Sequence, residues 1–360
     1  MPEIIGEYID RQVNIEMVDD TYPRRGKTWP LYEAAREKLG APLTYLAAKG
    51  LIENVKQGDY VILLSGAGIS PWLEWGETDG PTGIASLARA VSFGLGAAPV
   101  YVGNEKELGP VVAAGMAAGV SVLNREAIDV YKRKATALEV PFPLGEKGAK
   151  EKALEILDEY HPTAIIGVEK HAPNPLGVWH TAAGQAIPAE TQPHVHHLVD
   201  EARERGIFTI GIGDGGNEIG YGLIRDEVNE IYKSQFGGVT CQCGCGGGES
   251  TATATDVLVS AAISNWGAYG VSAMLAYMLD NPFLLQDADT ERRMVEAMAM
   301  AGAVAAGVGT GGTLTWVDGT SPAMQEAVVT ILQEIVTNGT RRLHPGGFPA
   351  VEGVTEADKS

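Results

Sequence analysis

The run Gly211-Ile212-Gly213-Asp214-Gly215-Gly216-Asn217-Glu218-Ile219-Gly220 sets two acids and an amide among glycines, directly after the apolar stretch Ile207-Phe208-Thr209-Ile210. Glycine lets a backbone turn tightly, and carboxylates on a turn just past a strand can converge on one small ion or polar substrate. The competing reading is a glycine-rich turn carrying a solvated acid. A second set of acids follows Tyr60-Val61-Ile62-Leu63-Leu64, where Glu74, Glu77 and Asp79 precede Pro81. Asp79 suits the N-cap of a helix opening at that proline, whereas Glu77 has no such local role. The third set follows Ala164-Ile165-Ile166-Gly167-Val168, which leads into Glu169, Lys170 and His171, with Asn174 and His180 beyond. Three strand ends that each deliver polar groups have the layout of an α/β site.

The elements needed to hold these groups alternate along the chain. Strand-like runs are expected at 60–64, 99–102, 121–123, 164–168, 207–212 and 256–259. Helical periodicity is expected over 81–93, 107–119, 147–160, 195–205, 223–232 and 271–279. Repeated β–helix units of this length imply right-handed crossovers. They predict an α/β fold: a mostly parallel twisted sheet with helices on both faces, Rossmann-like layers, and helical additions at both ends. The expected division is an N-terminal helical accessory segment over 1–58, an α/β domain over 59–345 that returns to helices after 280, and a tail over 346–360. Apolar helices at 271–278 and 295–304 suit a homo-oligomer interface and core burial equally.

The 360 residues carry 45% hydrophobic and 20% charged residues, an ordinary composition for a globular protein. Lys and Arg number 27 against 46 Asp and Glu, a formal charge of −19. That field repels phosphate backbones and anionic bilayers, which argues against nucleic-acid and membrane partners and for cations. Arg24, Arg25 and Lys27 form the one early basic cluster and read as a solvated face. No stretch approaches the roughly 20 apolar residues of a bilayer span. The acidic start Met1-Pro2-Glu3-Ile4-Ile5-Gly6-Glu7 lacks a basic signal region. A cytoplasmic location is therefore expected.

All three cysteines lie in Cys241-Gln242-Cys243-Gly244-Cys245. An extended segment would put the three sulfurs on one side, the start of a soft-metal or redox site. The segment lacks both a fourth ligand and the common C-x-x-C spacing, so the alternative is a glycine-rich loop that happens to carry small residues. His194, His196 and His197 are i, i+2 and i+3 on one expected helix, a spacing that does not converge on an ion. They read as a solvated helix start. Gly66 and Gly68 after a strand suggest a phosphate cradle, but their own run, Gly66-Ala67-Gly68-Ile69-Ser70-Pro71, follows neither G-x-G-x-x-G nor G-x-x-x-x-G-K.

Glu77-Thr78-Asp79-Gly80-Pro81, Gly167-Val168-Glu169-Lys170, Gly213-Asp214-Gly215-Gly216-Asn217-Glu218, Ser264-Asn265-Trp266-Gly267 and Val317-Asp318-Gly319 occur in the order seen in the D-glutamate cyclase-like domain family. Five ordered motifs over about residues 40–320 are more specific than any single glycine loop. The resemblance implies an α/β enzyme with an acidic divalent-metal site for manganese, magnesium or calcium. It implies conversion of a small-molecule substrate, D-glutamate, to 5-oxo-D-proline and water. The chain departs from the pattern around Lys170-His171-Ala172-Pro173-Asn174, which has no arginine to clamp a carboxylate at two points. It is also richer in thiols near Cys241.

On that resemblance Glu77, Asp79, Asp214 and Glu218 are expected as hard oxygen ligands of the metal. Glu169 is expected to act as base or to complete the shell, His180 as acid or base, and Lys170 to hold a carboxylate. Asn174, Asn217, Ser264 and Asn265 are expected around the substrate. Asp318 reads as a turn former or a rim contact. Two other classes remain open on the same residues: a metal-dependent hydrolase of a cyclic amide or phosphoester, and a non-catalytic metabolite-binding protein.

Overall fold

A computed structural model of the chain describes residues 1–17, 26–130, 135–306 and 315–340. Arg24, Arg25, the expected tail over 346–360 and part of the glycine-rich stretch near 307–319 lie outside the described residues. The chain opens with helices α1 (Pro2–Val13), α2 (Thr28–Leu39) and α3 (Leu43–Asn54). It then alternates through β1 (Tyr60–Leu64), α4 (Pro81–Ala90), β2 (Ala98–Gly103), α5 (Glu105–Ala117), β3 (Ser121–Val122), α6 (Arg125–Val130), β4 (Thr136–Pro141), α7 (Ala149–Tyr160) and β5 (Ala164–Val168). The short pair β6 (Trp179–His180) and β7 (Ala186–Ile187) follows. The remaining elements are α8 (His196–Glu204), β8 (Phe208–Gly213), α9 (Arg225–Gln235), β9 (Val257–Ser260), α10 (Ser264–Met278), α11 (Ala288–Met300) and α12 (Pro322–Thr340).

Seven strands form one parallel sheet in the order β3-β4-β2-β1-β5-β8-β9, and β6 and β7 form a separate antiparallel hairpin. The fold is the expected α/β sheet, with Val61 opposite Ala164 and Leu64 opposite Gly167 in the central pair. Period-2 alternation sorts side chains between the two faces. Val61, Leu63, Ile166 and Val168 face the larger core with α1, α3, α4 and α10. Tyr60, Ile62, Leu64 and Ile165 face the smaller one with α7 and α8. Each fully buried Val, Leu or Ile contributes about 1.5–3 kcal/mol. Ile5, Ile9, Leu31 and Leu51 from the first three helices join the larger core, so the 1–58 segment shares its interior with the sheet.

Five elements depart from the expectations, the first being the short helix α6, which no expected helix covers. β4 pairs with both β2 and β3, yet its sequence Thr-Ala-Leu-Glu-Val-Pro breaks the apolar run, with Glu139 and Pro141 exposed. The β6–β7 hairpin is two residues per strand, too short for any periodicity. The last central helix begins at Ser264 rather than near 271, and its residues are buried through Ala276. A helix apolar on every side has no stripe for a 3.6-residue period to mark.

Winding runs from β1 outward to β2 and the edge strand β3, returns to β4 between those two, then jumps to β5 on the other side of β1. The carboxyl ends of β1 and β5 therefore flank the switch point where doubly wound sheets bind ligands. Farther from that edge, Glu291 on α11 accepts hydrogen bonds from Tyr269 Oη at 2.7 Å and Gln286 Nε2 at 3.0 Å. Burial pushes its carboxyl from the ordinary 4.5 up to about 7. The folded chain holds this proton more tightly than the unfolded chain. Its stabilising contribution is thus complete below pH 4.5 and is lost as pH climbs toward 7. Glu291→Gln is expected to remove that decline from urea midpoints measured across the interval. Among the described residues no helix is long and apolar enough to cross a membrane.

Candidate functional site

Loops from the carboxyl ends of four neighbouring strands meet over the switch point. The loop after β1 brings Glu77 and Asp79, the one after β5 brings Glu169 and His171, and the one after β8 brings Asp214 and Glu218. β9 leads into Ser264 and Asn265, and the turn before α12 adds Asp318. Ligand atoms of Asp79, Asp214 and Asp318 lie within 4.8 Å of one another, as do those of Glu169, Asp214 and Glu218, and those of Glu77, Glu169 and His171. Glu169 and Asp214 thus join six carboxylates and one imidazole into a single cluster, and every member is buried. Glu77 and Asp214 share no group directly; Glu169 belongs to both of theirs.

Asp79 is held by a contact that local sequence does not reveal. Its Oδ2 accepts from Ser264 N at 2.9 Å and its Oδ1 from Asn265 N at 2.8 Å. It therefore caps α10 across the fold rather than the adjacent α4. Asn265 closes the clasp: its Oδ1 accepts from Gly80 N and Gly83 N, at 2.9 and 2.7 Å, and its Nδ2 donates to Thr78 O. Gly80 is required here. Its φ is +103°, and a Cβ would meet Ser65 Oγ at 2.5 Å and Glu169 Cβ at 3.2 Å. Burial pushes the Asp79 carboxyl well above its usual range, and the neighbouring Glu169 and Asp318 carboxylates push it further. A cation among these groups would reverse that penalty.

Glu169 and Asp318 both adopt left-handed backbones, with φ of +47° and +43°. Such conformations are uncommon outside glycine and cluster at functional sites. Ser264 Oγ donates to Glu169 Oε2, and His171 Nε2 lies 3.7 Å from Glu169 Oε1. Glu218 folds back on its own loop, accepting from the backbone N–H groups of Asp214, Gly215 and Gly216 at 3.1, 2.8 and 2.7 Å. The loop therefore takes its shape from one of the acids it displays.

Other expected site residues stand apart. Lys170 is buried and donates to Glu107 Oε2 at 2.8 Å and to the Gly66 carbonyl, so the carboxylate it holds is that of α5. Asn174 takes the chain through a turn, accepting from Leu176 N and Val178 N and donating to Gly248 O. Asn217 Nδ2 donates to His180 O at 2.8 Å, while its Oδ1 has no hydrogen-bond partner among the described residues. His180 lies against the cysteines rather than the carboxylates, and burial lowers its pKa from 6.5 to about 4. At neutral pH such an imidazole is uncharged and lacks the imidazolium proton that a general acid donates.

Three expectations are corrected. Lys27 is not part of a solvated face: it is buried and donates to Tyr232 Oη at 2.9 Å. The three thiols do not lack a fourth donor: His180 supplies it from 61 residues upstream of Cys241. His194, His196 and His197 do converge, because His194 precedes α8 instead of lying on it. They are not a solvated helix start. His194 and His196 are buried beside Trp179, and Glu146 hydrogen-bonds to His194 Nδ1 at 2.6 Å and His197 Nε2 at 3.1 Å.

Sequence reasoning named His171 and Asp318 without placing them in the cluster, and it missed Glu249. Glu249 is 1% exposed and neither carboxyl oxygen has a hydrogen-bond partner among the described residues. Burial pushes its pKa up to about 9; Lys27 opposes the shift, while Glu218 and Cys245 add to it. Its only sequence signal is an acid directly after Gly246-Gly247-Gly248.

Hard oxygen donors in this number suit magnesium, manganese or calcium rather than a soft metal. Among curated proteins none matches the chain. Against known families, residues 34–333 match the one described as D-glutamate cyclase-like, C-terminal. With that match spanning most of its length and every motif of the carboxylate cluster, the chain belongs to the D-glutamate cyclase-like C-terminal domain family.

Proposed function

We propose that the carboxylate cluster binds one divalent cation and that the chain cyclises D-glutamate to 5-oxo-D-proline, releasing water. The observation that carries this reading is the meeting of buried acids from four loops at the switch edge of the sheet. Asp79, Asp214 and Asp318 would hold the ion, with Glu169 and Glu218 in reach. When bound, a divalent cation supplies Lewis acidity toward a carboxylate oxygen.

Glu169 is the base. Its Oε2 accepts from the Ser264 hydroxyl, and its Oε1, 3.7 Å from His171 Nε2, takes a proton from the substrate ammonium. The Oδ1 of Asn217 is the acceptor that orients this ammonium. The freed amine attacks the γ-carboxyl carbon. A C–N bond forms, a C–O bond breaks, and the two protons lost by the nitrogen leave with the departing oxygen as water. Lys170, His180, Asn174 and Asn265 act by holding the loops, because their polar atoms are engaged with Glu107, the cysteines and the backbone. Fixing amine and carboxyl in attack geometry supplies much of the remaining rate gain.

Turnover of D- and L-glutamate, followed by chromatography of 5-oxoproline, tests the proposal. Activity on D-glutamate is expected to vanish on dialysis against EDTA and to return with manganese or magnesium. Inertness toward D-glutamate with manganese, magnesium and calcium, alongside hydrolysis of 5-oxoproline derivatives or phosphoesters, would assign the site to a hydrolase instead. Inertness toward all of these would leave a binding protein.

A further inference from the structure

The second cluster is chemically unlike the first. Cys241 Sγ lies 3.5 Å from Cys243 Sγ and 3.6 Å from Cys245 Sγ. His180 Nε2 lies 3.1 Å from Cys243 Sγ and 3.7 Å from Cys245 Sγ. All four donor atoms fall within 4.8 Å of one another. A tetrahedral ion with metal–sulfur bonds of about 2.3 Å and metal–nitrogen bonds of about 2.0 Å needs S···S edges of about 3.8 Å and S···N edges of about 3.5 Å. The observed edges have that size. None approaches the roughly 2.05 Å of a disulfide.

We propose that Cys241, Cys243, Cys245 and His180 bind one zinc ion as a closed Cys3His site. The backbone is shaped for it. Along an extended strand residues i and i+4 stand about 13 Å apart, yet the chain curls through Gly244, at φ +73°, and brings the outer two sulfurs together. Outer-layer donors are also in place. Gly247 N and Asn174 Nδ2 each donate to Cys245 Sγ at 3.3 Å, the kind of bond that steadies a ligating thiolate. Thiolates select zinc over the hard ions suited to the carboxylates. With all four positions filled by protein the ion is structural, without an open coordination place for substrate.

Its mechanical task is legible from the contacts. The site ties the β6–β7 hairpin to the loop after α9, where Gln242 N and Cys243 N already donate to Gly184 O. Asn217, in the loop that displays Asp214 and Glu218, is bonded in turn to His180 O. Zinc would therefore brace the acidic loop from behind without touching its acids.

The full chain, purified without added metal or chelator, is expected to carry one zinc per molecule by elemental analysis. That zinc should survive dialysis against EDTA that strips manganese from the protein. Titration with p-hydroxymercuribenzoate should release it in step with thiol modification, read with pyridylazoresorcinol. Cobalt(II) in its place should show thiolate-to-metal charge transfer and strong tetrahedral d–d bands, and Cys243→Ser or His180→Gln should diminish them. Where a variant does not fold, the cobalt spectrum of the wild-type chain decides. Wild-type protein without zinc, with three freely reactive thiols or a Cys241–Cys243 disulfide and no such cobalt bands, would overturn the proposal. Cobalt bands unchanged in a folded Cys243→Ser variant would do the same. Neither result depends on turnover of D-glutamate.

Discussion

Glutamine in place of Glu169 is expected to cut kcat for 5-oxo-D-proline formation by roughly 10²–10⁴, the usual contribution of a placed general base. The amide keeps an acceptor for the Ser264 hydroxyl, so circular dichroism and the urea midpoint should stay near those of the parent. A variant with parental turnover would remove Glu169 from the chemistry and leave it a metal ligand or a loop anchor.

The second large effect is one of stability. Lys170→Met removes the cation from a pair whose side chains are 2% and 4% exposed. The Glu107 carboxylate left behind also accepts from Gly68 N and Asn104 N, where it closes the capping box of α5. Breaking a buried pair from one side costs about 3–5 kcal/mol, because an uncompensated charge stays in the interior. Urea unfolding should show a loss of that size, and adding Glu107→Gln should recover part of it. A fall in kcat of about 10² or more at unchanged stability would return Lys170 to the reaction as a general catalyst.

The central strands were readable because β1, β5, β8 and β9 are apolar runs buried on both faces, each followed by a turn rich in glycine or polar groups. That reading also located the acids, since parallel strands deliver their following loops to one edge. β4 escaped it because half of its six residues are polar or proline. What sequence could not supply was pairing at a distance. Asp79 looked like the cap of the helix beside it, yet the amides it holds belong to Ser264 and Asn265, about 185 residues on. Lys170 sits beside Glu169 in sequence, but as neighbours at a strand end their side chains diverge, and Lys170 reaches Glu107 instead. The fourth partner of the cysteines was likewise hidden by its distance along the chain, and by a hairpin too short to predict.

The left-handed backbones at Glu169 and Asp318 set a conflict between endurance and chemistry. Each costs on the order of 1–3 kcal/mol relative to a residue at ease there, and glycine would relax both. Selection for heat resistance alone should therefore enrich glycine at these two positions and yield tougher, inactive descendants. Thermal hardening of this scaffold has to come from elsewhere, in surfaces and loops remote from the cluster.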